Sequence, residues 1–279
     1  MVFRKNYIYL LSLITILVWL SVFSIDDNLH IIACDVGQGD AILIQKNTTQ
    51  ILIDGGPNNK VLDCLGKHMP FWDREIELVV LTHPEEDHYG GLIDVIKYYK
   101  IGRFATNGRD SGNLSYQVLK NEVGSRGLQG LTLSDDMDLR LGMIYLDILH
   151  PAGELQMPND KLQIKKTNDT GIVILLKYAR FKALFTADVE QEISNQLSES
   201  SKIQNINYLK VNHHGSKNGL SEKLLEVLKP KVAVISLGKN SYGHPHKEVL
   251  DLLEKYNVKV LRTDQMGDVV VKTDGNKFW

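Results

Sequence analysis

The stretch LTHPEEDHYGGL, Leu81 to Leu92, places His83, Glu85, Asp87 and His88 within six positions of one another. Imidazole and carboxylate without thiolate are the ligands that zinc or manganese takes in hydrolytic sites. A cation held with open positions brings the pKa of a water towards neutrality and clamps a phosphoryl oxygen. Pro84 keeps the start of the stretch out of helix. Taken alone, the same residues also read as a solvated acidic turn before a helix, with Asp87 near its N-cap. The chemistry therefore depends on what the rest of the chain brings to this loop.

Groups of the same kind recur at the ends of apolar runs. Asp54 ends ILID, His83 ends ELVVLT, Asp188 ends KALFTA, and His213 and His214 end INYLKVN. Asp169 stands just before GIVILL, and His244 and His246 follow KVAVISLG after a short loop. Side chains leave a core at strand ends, where several strands can deliver them to one rim. Asp188 offers a carboxylate able to bridge two cations, though the same residue type also caps helices. Gly215 behind the histidine pair lets backbone approach a ligand closely. Asp87, His88, Asp188 and the pair make two metals a reasonable expectation, and a separation of about 3.5–4 Å suits phosphodiester chemistry.

The elements that must position these residues alternate between branched apolar runs and helical patterns. LHIIACD, AILIQ, QILIDGG and ELVVLTH read as the first four strands, with helices expected over Lys60 to His68 and Gly91 to Lys100. Gly102 to Gly142 is less regular. Strands return in IYLDILH, GIVILLKY, KALFTAD, INYLKVNHH and KVAVISLG, with helices over Asp188 to Leu197, Leu220 to Leu228 and His246 to Tyr256. VKVLRTDQMGDVVVKTDG closes the chain as two short strands. One β-rich α/β domain, two sheets faced by helices, accommodates this order.

Tyr7 to Phe23 is an uncharged, mostly apolar run after Arg4 and Lys5 and before Asp26 and Asp27. Its length is at the short end for a membrane helix, and the positive flank directs everything after Ile25 outward. A cleaved signal peptide, with Val22 and Ser24 as small residues before the cut, is the competing reading. The expected division is thus an anchor or signal segment over 1–25 and a globular domain over 26–279. Removing Arg4 and Lys5 from the 32 basic residues leaves 30 against 34 acidic ones, a net charge of −4 for the outward part. No broad basic field announces a nucleic-acid partner. The two cysteines, Cys34 and Cys64, are expected as buried thiols.

As a set, DVGQGDAILI, ILIDGG, LTHPEEDHYGGL, NDTGIVILLKY, LFTADVE, LKVNHHGS, YGHPH and RTDQMGDV resemble the metallo-β-lactamase superfamily. Within it they are most similar to the hydrolase-like domain of ComEC competence proteins, which take part in DNA internalisation. The resemblance covers Leu29 to Thr273 and implies an αββα sandwich with its metals at one rim. His83, Asp87 and His88 match the family's HxHxDH motif, with Glu85 in place of the middle histidine, an exchange its ComEC relatives share. Asp188 matches the bridging aspartate, and His213 and His214 stand where the last ligand histidine comes. Asn168 and Asp169 occupy the place of the remaining histidine. Gly171 and Ala187 stand where ComEC-like sequences usually carry Ser and Gly.

The resulting expectation is an αββα sandwich of the metallo-β-lactamase type behind one N-terminal anchor helix, at the cell membrane with an extracytoplasmic domain, or secreted if the segment is cleaved. It would hold one or two divalent ions, zinc or manganese, on His83, Glu85, Asp87, His88, Asp188, His213 and His214. Asp87 would orient the attacking water, and His244 would give a proton to the leaving oxygen. Lys217, His246 and Asp169 would steady the substrate. The activity implied is a phosphodiesterase, a nuclease on single-stranded DNA in competence, with a separate channel protein as a partner. A hydrolase of small surface phosphodiesters such as phosphocholine groups is the alternative. A degenerate domain that only binds DNA or a channel is a further one.

Overall fold

The computed structural model describes residues 2–22, 26–153 and 167–279. Two seven-stranded sheets face each other. The first runs β14 (Val269–Thr273), β1 (Leu29–Ala33), β2 (Ile42–Lys46), β3 (Thr49–Ile53), β4 (Glu75–Leu81), β5 (Lys100–Thr106) and β6 (Gly130–Thr132). The second runs β13 (Lys259–Arg262), β12 (Val232–Ile235), β11 (Tyr208–Lys210), β10 (Phe181–Phe185), β9 (Val173–Tyr178), β8 (Ile144–His150) and β7 (Asp138–Leu141). The last strand returns to the first sheet, where β14 pairs antiparallel with β1.

Strand alternation explains the layering. Ile31, Ile44, Ile53 and Val80 of the first sheet meet Ile174, Phe185, Tyr208 and Val234 of the second in a shared inner core. The neighbouring positions Leu52 and Val79 face outward and pack on Val61 and Leu65 of α2 (Lys60–His68) and on Val95 of α4 (Leu92–Tyr98). On the other side, Leu184, Leu209 and Ala233 pack on Leu224 and Leu225 of α7 (Glu222–Leu228) and on Val249 and Leu253 of α8 (Lys247–Lys255). Strands buried on both faces therefore read as continuous apolar runs, and the four layers form the expected αββα sandwich.

Two readings of the sequence are corrected. The section from Gly102 to Gly142 contains a twelve-residue helix, α5 (Leu114–Ser125), whose start is capped by the Asn113 side chain accepting from Ser115 N. Its apolar stripe is thin, with Tyr116 and Leu119 as its buried residues, so periodicity gave little signal. Cys34 and Cys64 are not thiols but a disulfide, with Cα atoms 5.8 Å apart, tying the end of β1 to α2.

The N-terminal run is helical as α1 (Val2–Val22), and its side chains from Tyr7 to Leu17 are exposed. Among the described residues, no helix is long and apolar enough to cross a membrane. The end of the expected span, Phe23 to Ile25, lies outside the described residues.

Candidate metal centre

The loop from His83 onward leaves β4 and turns at once into α3 (Glu86–Tyr89), a single helical turn with extended Glu85 as its N-cap. Asp87 and His88 thus sit inside the turn and point to one side. Two glycines allow it to be packed so closely. A Cβ on Gly39 would lie 2.2 Å from the Asp87 carbonyl oxygen, and one on Gly90 would lie 2.3 Å from that of Pro57. Behind the turn, Tyr89 is fully buried against Tyr116 of α5, and its hydroxyl lies 2.7 Å from Ser115 Oγ. The helix that sequence reading missed is therefore a brace of this loop.

Four side chains converge. Asp87, His88, Asp188 and His214 each present a ligand atom within 4.8 Å of the others. Asp188 Oδ2 lies 3.4 Å from His88 Nε2 and 3.2 Å from His214 Nε2, and Asp87 Oδ2 lies 3.4 Å from His214 Nε2. The His83 and His88 rings lie with centres 4.1 Å apart, tilted by 51° to each other, and His83 Nε2 is 4.0 Å from Glu85 Oε2. His213 stands back, 3.8 Å from Asp188 and about a quarter exposed, facing Asn168. The structure thus separates the histidine pair, with His214 aimed into the cluster and His213 at its edge.

The hydrogen bonds behind the imidazoles set which nitrogen faces inward. His88 Nδ1 donates to Asp54 Oδ2 at 2.9 Å, and His214 Nδ1 donates to the Ser236 carbonyl at 2.8 Å. Thr82 Oγ1 donates to Asp54 Oδ2, so at 3.0 Å it accepts from His83 Nδ1. Each ring is left with Nε2 as its free position, the tautomer a metal needs. The Nε2 atoms of His83, His88 and His214, with Asp188 Oδ1, are buried and have no hydrogen-bond partner. Buried polar atoms are rarely left so. Four of them at one rim fit a divalent cation of the nitrogen- and oxygen-binding kind.

Charge balance gives the same picture. Burial raises the cost of ionising Asp188, yet His214 and His88 outweigh it and hold its pKa well below the usual carboxylate range. Burial likewise opposes charging His88 and His214, but Asp188 with Asp54 raises the one, and Asp188 with Asp40 raises the other, well above the ordinary imidazole value. Protons on these rings occupy the place of a cation. Burial pushes His83 down to about 3, helped by His88, so it is neutral at pH 7.

Sequence reading missed the supports. Lys210, fully buried in β11, pairs with Asp40 Oδ2 at 2.5 Å, and Asp40 Oδ1 lies 3.4 Å from His214 Nδ1. Asp40 N also donates to the Asp87 carbonyl at 3.2 Å, so this pair joins the metal loop to the other sheet. A lysine inside the apolar run INYLKVN was the available signal, since a buried ammonium requires a carboxylate. Asp54 emerges as a support rather than a cluster member, accepting from Thr82 N and Oγ1 as well as from His88.

The cluster opens on a cleft of about 520 Å³ lined by Gln38, Pro57, Glu85, Glu86, Asp87, His213, His214, Tyr242 and His244. His244 is held to about 4 by burial and by three neighbouring imidazoles. The other three expected substrate groups are not brought to this lining. Lys217 is exposed, its backbone N donating to His246 Nδ1 at 3.4 Å. Asp169 Oδ1 instead accepts from Glu190 N at 3.1 Å.

Four non-glycine residues at the rim have left-handed backbone. Asp54, Ala187, His213 and His214 have φ of 60°, 47°, 47° and 51°. Non-glycine residues pay roughly 1–2 kcal/mol each for that region, and such residues cluster at functional sites. The two departures from the ComEC pattern also touch each other, because a Cβ on Gly171 would lie 3.0 Å from Ala187 Cβ. Gly171 therefore makes room for the methyl of Ala187. Ala187→Gly is expected to stabilise the fold by about 1 kcal/mol. Gly171→Ser should destabilise the native background and cost less in the Ala187→Gly one. Urea unfolding of the four-member cycle measures the coupling, and simple additivity would refute the compensation.

Comparison with known proteins agrees with this geometry. Residues 34–111 match the model of the family described as the metallo-beta-lactamase superfamily. ComE operon protein 3 of Bacillus subtilis is 28% identical over 258 residues, covering 84% of this chain and 32% of that protein. Recombination protein 2 of Haemophilus influenzae is 30% identical over 242 residues, covering 85% of this chain and 28% of that protein. The chain thus spans about a third of the length of these relatives. Among solved structures, the metallo-beta-lactamase fold protein YhfI from Bacillus subtilis superposes with a TM-score of 0.58 at 13% identity, covering 88% of this chain and all of that one. The chain is thus similar to the metallo-beta-lactamase superfamily over residues 34–111 and, over most of its length, to one part of competence proteins of the ComEC type.

Proposed function

We propose that the domain is a metal-dependent phosphodiesterase, a nuclease that cuts single-stranded DNA during uptake. The observation that carries this reading is the cluster of inward, unpartnered Nε2 and carboxylate oxygen atoms at the floor of an open cleft. Asp87, His88, Asp188 and His214 would hold one divalent cation tightly. His83, Glu85 and the second oxygen of Asp188 make a poorer set for another, because Glu85 is about a third exposed and 4.0 Å from His83. The cation, when bound, supplies Lewis acidity towards a phosphoryl oxygen and an acidified water. Asp87 lies between the cluster and the cleft, where its carboxylate orients the water that attacks phosphorus. His244 Nδ1 is buried without a hydrogen-bond partner and serves as donor to the leaving oxygen once a phosphate raises its affinity for a proton.

The site would work outside the cell, with α1 as the anchor. The apolar side chains of α1 are exposed from Tyr7 to Leu17, an uncovered surface that supports this reading, while the described part of the run by itself falls short of a membrane span. Deleting residues 1–25 should release the chain from washed membranes, and retention would exclude the anchor.

Glu85 and Glu86 on the cleft wall favour a second reading, a small phosphodiester in place of DNA. One experiment separates them. Purified chain is stripped with a chelator, reloaded with manganese or zinc, and offered single-stranded DNA and bis-p-nitrophenyl phosphate. Cleavage of both, lost on stripping and restored on reloading, is expected for the nuclease. Turnover of the small ester alone selects the second reading, and activity indifferent to the chelator refutes both.

A further inference from the structure

A different group of ligand-type side chains lies on the helix-covered outer side of the first sheet. Cys64, His68 and Asp268 each offer a donor atom within 4.8 Å of the others. Cys64 and His68 are one helical turn apart on α2, and Asp268 comes from the loop just before β14. Cys34, at the end of β1, is bonded to Cys64, so its sulfur belongs to the same group. Asp268 is fixed there, its Oδ1 accepting from Asp35 N at 3.0 Å and its Oδ2 lying 3.0 Å from His68 Nε2. Cys34 is fully buried and Cys64 nearly so, while His68 and Asp268 stay partly open to solvent, a path for an ion.

We propose that Cys34, Cys64, His68 and Asp268 form a redox-gated zinc site, closed as a disulfide and opened when a dithiol reductant breaks that bond. The reductant gives two electrons to the sulfur–sulfur bond and leaves as its own disulfide, and two protons pass to the cysteine sulfurs. Zinc then displaces those two protons. It takes two thiolates, His68 Nε2 and Asp268 Oδ2, a four-ligand tetrahedral set with no open position, as structural zinc sites have. In the oxidised chain the sulfurs carry no charge to give a metal, and His68 and Asp268 satisfy each other. Two thiolates and a carboxylate around zinc leave one negative charge. The Lys67 ammonium, 2.8 Å from Asp268 Oδ2, is placed to neutralise it. The two states tie together the same three segments, β1, α2 and the entry to β14, one by a covalent bond and the other through a cation. A chain of this kind keeps that corner closed in a reducing compartment as well as in an oxidising one.

The test uses the full chain carrying Asp87→Ala and His88→Ala, so that metal in the cleft is not counted. Oxidised and dithiol-reduced samples, freed of reductant, are titrated without air with Co2+ as the probe and then with Zn2+ in competition. The reduced chain is expected to take one Co2+ with thiolate-to-cobalt charge-transfer absorption, which Zn2+ abolishes, and the oxidised chain none. His68→Ala, or His68→Gln where the smaller residue fails to fold, should weaken binding by about tenfold or more, as should Asp268→Asn. Circular dichroism follows the fold throughout. A reduced chain that stays folded without the absorption overturns the proposal. Unfolding on reduction, or variants that bind as tightly as the parent, overturn it equally.

Discussion

Asp188→Asn is expected to lower metal affinity by about 10²-fold or more and phosphodiester hydrolysis by about 10³-fold, roughly 4 kcal/mol of transition-state stabilisation. The reason is its position. Asp188 Oδ2 is within 3.4 Å of two imidazole nitrogens, while Oδ1 is buried and unpartnered, so one side chain serves both sides of the cluster. Asn keeps the size and removes the charge that the cation and the two imidazoles share. The same electrostatics sets a pH dependence. His88 and His214 have folded-state pKa values raised well above normal, so the metal-free chain carries protons there that a cation must displace. Their contribution to the stability of the metal-free fold is complete below the unfolded imidazole pKa of about 6.5 and is lost as pH rises through the folded values. Metal binding should accordingly release protons and tighten with rising pH. Calorimetry in two buffers of different ionisation enthalpy reads this directly. Binding without proton release, or an Asp188→Asn chain that binds as tightly as the parent, would remove Asp188 from the centre.

The second large effect is expected at Lys210. Lys210→Met leaves Asp40 ionised, fully buried and without its partner, a loss of about 3–5 kcal/mol. The pair is more than structural. Asp40 joins the metal loop through its backbone bond to Asp87 and approaches His214 through its side chain, so the change should also loosen both. The double variant Asp40→Asn, Lys210→Met removes both charges and should recover most of the stability but not the metal affinity. Chemical unfolding and equilibrium dialysis on the three variants separate the two effects. If the double variant regained full affinity, Asp40 would be a packing residue only.

The legibility of the site in the sequence had a physical basis. Strands buried on both faces produce long apolar runs, and the residues that interrupt their ends stand out, as Asp54, His83, Asp188 and the histidine pair did. The αββα layering followed from the order of those runs together with the motif resemblance. Several features left weaker traces. Helix α5 buries little, so its period was faint, although it braces Tyr89 behind the metal loop. The choice between His213 and His214 depends on two successive left-handed backbone positions, which residue identity does not encode. Lys217, His246 and Asp169 stand outside the cleft lining, with the His246 ring 5.1 Å from that of His244, which lines it. Cys34 and Cys64 lie 30 residues apart, one in a strand and one in a helix, and only the tertiary packing of α2 on the first sheet brings them together.

Counting bound metal shows whether Asp87, His88, Asp188 and His214 hold a cation. Oxidised wild-type chain, dialysed and analysed for zinc and manganese, is predicted to retain at least one divalent ion per chain, and the Asp87→Ala, His88→Ala double variant is predicted to retain none while remaining folded. Less than one ion per wild-type chain after loading, or undiminished metal in the folded double variant, would contradict the account.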